Sequence, residues 1–118
     1  MKEEIISFKT AKLALEKNIT FPSTISYTKD GDICNNESLL GKVVKKYPII
    51  SQSLLQRILR DEYLIDINIE SNYNYTFSIL KYEYYIVQED CSSECEFNTY
   101  EEALEAALYE TLELIEND

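Results

Sequence analysis

The 118 residues carry 22 Asp and Glu against 11 Lys and Arg, a formal net charge of −11, with two Gly, two Pro, three Cys and no His or Trp. That length and a hydrophobic share of 45% suit one domain spanning residues 1–118 and argue against a disordered tail or a disulfide-stapled scaffold. The charge argues against nucleic acid and anionic membrane as partners, and the absent His and glycine-rich loop leave no recognisable apparatus for nucleophilic, hydride or phosphoryl transfer.

The opening MKEEIISFK places acids where a signal peptide needs cations, no long apolar run follows, and a cytoplasmic location is expected. Ser7 can cap a short amphipathic helix over Phe8–Lys17, with Phe8, Ala11, Ala14 and Leu15 on one face, Lys9, Lys12 and Lys17 on the other, and Asn18 at its end. Asp30-Gly31, between Ile25/Tyr27 and Ile33, predicts a hairpin, because glycine accepts the positive φ of a tight turn. Asp30, Asp32 and Glu37 do not have the ligand spacing of a calcium loop. From Glu37 to Tyr47 the apolar spacing is helical but Gly41 interrupts it and Pro48 follows, which predicts an irregular or weakly helical connection. Lys42, Lys45 and Lys46 there read as a solvated patch.

A cleaner helix runs from Ser53 to Glu62, capped by Ser51 or Ser53, with Leu54, Leu55, Ile58 and Leu59 as its buried stripe. Between Leu64 and Glu70 the period changes to two, placing Ile65, Ile67 and Ile69 inside and Asp66, Asn68 and Glu70 outside. A Ser71-Asn72 turn, a strand through Tyr75, Phe77 and Ile79, and another from Tyr82 to Val87 would complete an antiparallel meander. Thr99 and Glu102 then form a capping box. The long C-terminal helix that follows buries Leu104, Ala107, Leu108, Leu112 and Ile115, and turns Glu101, Glu105, Tyr109, Glu113 and Glu116 outward. The expected fold is α+β: a small antiparallel meander packed against two or three helices.

Cys34, Cys91 and Cys95 are an odd set, expected as free thiols; without His and with the wrong spacing they make a poor zinc site, and no metal or cofactor is expected. Asp66, Glu70, Glu83, Asp90 and Glu94 are the carboxylates from which a magnesium site could be drawn, though their spacing selects none. The chain reads as a non-enzyme.

Charge is divided along the chain. Ten of the cations and six acids precede Asp61, whereas from Asp61 onward Lys81 stands alone against sixteen acids. Tyr73, Tyr75, Tyr82, Tyr84 and Tyr85 crowd into the same acidic half, giving amphipathic contact area among carboxylates that suit Arg and Lys. Asp66, Glu70, Tyr73, Tyr75, Tyr82, Tyr84, Glu101 and Glu105 are therefore the candidate partner-binding residues. Tyrosines that simply pack both sides of the sheet would give the same pattern.

Three stretches, SFKTAKLALEKN (7–18), SLLQRILRDEYLIDINI (53–69) and TYEEALEAALYETLELI (99–115), resemble a group of small uncharacterised proteins of Bacteroidetes phages and mobile elements. The likeness rests on two helix signatures and a strand, carries no catalytic residue, and implies a phage-type origin. Together with the charge it leads to the expectation of a non-catalytic module that binds and inhibits a basic nucleic-acid-handling host protein, such as a CRISPR or other defence nuclease or its complex with nucleic acid. A structural or accessory phage protein and a carboxylate-metal enzyme are the alternatives.

Overall fold

In the computed structural model, residues 4–35 and 46–116 are described. Helix α1, Phe8–Glu16, starts where extended Ser7 lets its hydroxyl accept the Thr10 N–H, and stops where Asn18 turns to φ 61°. Strands β1, Ile25–Thr28, and β2, Ile33–Asn35, form the expected hairpin, with Tyr27 opposite Ile33. Gly31 is needed there twice over: its φ is 90°, and a Cβ would lie 2.9 Å from the Phe8 ring.

Strand β3, Lys46–Pro48, pairs with the other side of β1, so the first sheet runs β2-β1-β3. It was not expected, since Tyr47 lay in the irregular connection. Pro48 is tolerated because β3 is an edge strand whose outer side needs no donor. The rest of that connection, including Lys42 and Lys45, lies outside the described residues. Backbone bonds from Ile6 N to Ile50 O (3.0 Å) and Gln52 N to Glu4 O (2.8 Å) then tie the N-terminal segment to the entry of the next helix.

That helix, α2, Gln52–Tyr63, takes Ser51 as its cap and ends on Leu64 at φ 59°. Leu55 and Leu59 are fully buried and Ile58 is half-buried, whereas Leu54 is exposed. Strand β4, Ile67–Asn74, pairs with β5, Ile79–Ile86, over its full length, and β5 pairs with β6, Cys91–Ser92. The expected turn at Ser71-Asn72 is therefore replaced by continuous strand, and one long hairpin takes the place of two short turns. The true turn is at 75–78, where the Asn74 side chain accepts the N–H groups of Thr76 (3.0 Å) and Phe77 (3.2 Å) and Ser78 adopts φ 53°.

Helix α3, Tyr100–Leu114, is capped by the Thr99 hydroxyl, which accepts the Glu102 N–H at 3.1 Å. It packs on α1, α2, β4 and β5 and so gathers the core around Ala107, Leu108 and Leu112. Leu55, Leu59, Ile86, Leu108 and Leu112 are wholly buried, each contributing about 1.5–3 kcal/mol. The fold is α+β, with two three-stranded antiparallel sheets where one meander was expected. Among the described residues no helix is long and apolar enough to cross a membrane.

Candidate functional site

Strand alternation divides the β4–β5 hairpin into two unlike faces. Ile67/Ile86, Ile69/Tyr84, Ser71/Tyr82 and Tyr73/Leu80 are paired across one face, and Asn68/Tyr85, Glu70/Glu83, Asn72/Lys81 and Asn74/Ile79 across the other. The first face is the core face at its base, where Ile67, Tyr84 and Ile86 are buried. Towards the tip the same face is left open, since residues 71–80 are all exposed. Tyr75 (87% exposed) and Phe77 (70%) stand at the turn, and the Tyr75 ring meets Tyr73 edge-on at 4.7 Å. The hairpin thus carries an uncovered apolar end in a molecule 58 Å long and 22 Å thick.

The expected interface residues consequently fall into separate groups. Tyr73 and Tyr75 lie together on the open end, while Glu70 is on the opposite face, across from Glu83, a like-charged pair that weakens the strand pairing. Asp66 is half-buried ahead of β4, where its N–H donates to Gln88 Oε1 at 2.6 Å. Tyr82 is half-buried against Tyr100, with ring centroids 6.3 Å apart. Glu101 is exposed on the first turn of α3. Tyr84 is not exposed: its ring is buried and its hydroxyl donates to Glu110.

Glu105 is not on a solvated side of α3 either. Its carboxylate accepts the Ser7 N–H (3.2 Å), the Ser7 hydroxyl (2.9 Å), the Thr10 hydroxyl and Gln52 Nε2 (2.9 Å). These donors come from the start of α1 and the start of α2, where helix dipoles favour a negative charge. Glu105 is thereby a junction of the three helices.

Beside it, α1, α3, β5 and Phe97 enclose an open cleft of about 590 Å³. Phe97 is brought there by paired backbone bonds with Tyr82 (2.9 and 2.8 Å). Its ring stacks on Tyr84 at 6.1 Å and 30°. Tyr109 and Ala106 also line it, Lys9 Nζ lies 4.0 Å from the Tyr109 ring centre, and Glu102, Glu110 and Glu113 complete the lining. Glu110 accepts from the Tyr84 hydroxyl and from Cys91 Sγ at 3.1 Å, which favours its charged form. Burial and then the neighbouring Glu113 charge outweigh those donors and hold the carboxyl above its ordinary range.

Sequence reading missed this cleft. Its signal is a second face of α3, on which Glu102, Ala106, Tyr109 and Glu113 recur at three- and four-residue spacing. Tyr109 and Glu113 of that stripe are expected to face solvent and Glu102 to serve the cap, because nothing local shows that Lys9 and Phe97 come to stand over them. Cys34, Cys91 and Cys95 are free thiols, and among the described residues no three of His, Cys, Asp or Glu are grouped to hold a metal ion. Comparisons with protein-family models, curated proteins and solved structures give no match to the chain.

Proposed function

We propose that the chain is a non-catalytic binding module, of phage or mobile-element origin, that docks on a basic nucleic-acid-handling host protein and inhibits it. The observation that carries this reading is the uncovered end of the β4–β5 hairpin, where Tyr73, Tyr75, Phe77 and Leu80 are exposed in a chain of net charge −11. Aromatic side chains left outside the core supply contact area at an interface, and the net negative charge of the chain favours a partner rich in Arg and Lys. A defence nuclease, CRISPR-type included, presents such a surface wherever it holds its nucleic acid, and carboxylates can stand there in place of phosphates.

The test uses a tagged chain expressed in a Bacteroidetes host, recovery of what it binds, and titration of the pure chain against the recovered protein's cleavage of labelled DNA or RNA. The expected result is stoichiometric loss of nucleic-acid binding and cleavage. A recovered set consisting of virion components, or a nuclease that cleaves unimpeded when saturated with the chain, would overturn the reading.

A further inference from the structure

The cleft over the second face of α3 has features of a receptor for a single cationic side chain. Its size falls within the roughly 300–1,000 Å³ typical of ligand pockets, so a long side chain can enter with its backbone at the opening. The lining is chemically mixed: Phe97 and Tyr109 supply aromatic surface, and Glu110 and Glu113 supply carboxylates. An ammonium already uses that surface, since Lys9 Nζ sits 4.0 Å from the Tyr109 ring centre. The carboxylates, by contrast, make no ion pair: among the described residues the ion pairs within 4.0 Å both involve Asp61, with Arg57 and Arg60. Burial and then the neighbouring Glu113 charge also raise the cost of ionising Glu110, which a cation placed beside the two carboxylates would relieve.

We propose that this cleft seats an arginine side chain of the basic partner, its guanidinium stacked on the aromatic wall and donating to Glu110 and Glu113, with Lys9 moving off the Tyr109 ring. The inference rests on the reading of the partner as a basic protein. Arginine fits better than lysine because its planar fork can lie on a ring and still donate in its own plane to two carboxylates. The hairpin end would then supply apolar contact and the cleft the charge-selective anchor.

The probe is the capped peptide acetyl-Gly-Ser-Arg-Ser-Gly-amide, followed by amide shifts of the 15N-labelled full chain, against the same peptide carrying citrulline, which keeps the shape and removes the charge. Saturable shifts centred on Lys9, Ala106 and Tyr109 are expected with arginine only. Glu113→Gln, an exposed substitution, should weaken binding about tenfold, the scale of one charge-assisted contact. Lys9→Ala should tighten it by about twofold to threefold, because a competing cation is gone. Glu62→Gln, on α2, should change nothing, and circular dichroism melts confirm that each variant is folded.

Shifts scattered over the acidic surface without saturation, or equal shifts from the citrulline peptide, would overturn the cleft as an arginine site. Capture of a basic nuclease by a chain whose cleft ignores the peptide would leave the proposed function standing without this anchor. Peptide binding in a chain that inhibits no nuclease would support the cleft and overturn the function.

Discussion

Glu105 accepts four hydrogen bonds from Ser7, Thr10 and Gln52, so removing it strands donors from two other helices at once. Glu105→Ala should lower the unfolding free energy by about 2–3 kcal/mol, and Glu105→Lys by more, whereas Glu101→Lys four residues earlier should cost within about 0.5 kcal/mol. Urea unfolding of the three variants checks this. Periodicity put both acids on the outer side of one helix, and could not do otherwise, because the donors that claim Glu105 lie 98 residues away at Ser7 and 53 away at Gln52. Glu110 gives a pH signature instead. Its folded carboxyl is raised, so the stability it confers is fully present below the unfolded Glu range and is lost as pH rises through the folded value. Compared with Glu110→Gln across pH 3.5 to 7, the wild type should therefore lose relative stability as pH increases. An opposite slope would mean that the Tyr84 and Cys91 donors dominate.

At the scale of elements, long periodic segments were legible and short or long-range ones were not. The caps Ser7 and Thr99 and the stripe through Leu108 follow from local chemistry alone, and the structure contains them, while of the two serines offered for the middle helix it uses Ser51. Strand β3 was hidden because three residues ending in Pro48 carry almost no period, and only their pairing with β1 makes them a strand. The hairpin turn was misplaced because Ser71-Asn72 has turn-like residues, while the Asn74 side chain that builds the true turn looks no different in sequence. Leu108→Asp, wholly buried, should unfold the domain, and half-buried Ile58→Asp should lower the melting temperature without abolishing the transition. At the hairpin end, Tyr75→Ser with Phe77→Ser should leave melting nearly unchanged yet weaken partner binding by about tenfold or more, as loss of aromatic anchors does. Equal affinity of that double variant would move the interface away from the hairpin.

For the whole molecule, net charge governs encounter more than fold. A chain at −11 should give no shift of single- or double-stranded DNA or RNA in low-salt gels, because it gains nothing from phosphate neutralisation. Association with a basic partner should slow as salt rises, the screening length being about 10 Å at 0.1 M, and stopped-flow mixing at two salt concentrations reads that directly.

The pairing of α1 with α3 also sets the order in which this chain can fold. Ser7 meets Glu105, and Lys17 Nζ donates to Ile115 O at 2.6 Å, each across a separation of 98 residues. Closing a loop of that length costs about 4 kcal/mol of chain entropy beyond the constant term, and no gain is returned until both helices exist. The local β1–β2 and β4–β5 hairpins can form early, whereas docking of the first helix on the last must come late. Substitutions at Ser7 or Lys17 should accordingly speed unfolding while leaving the refolding rate almost untouched.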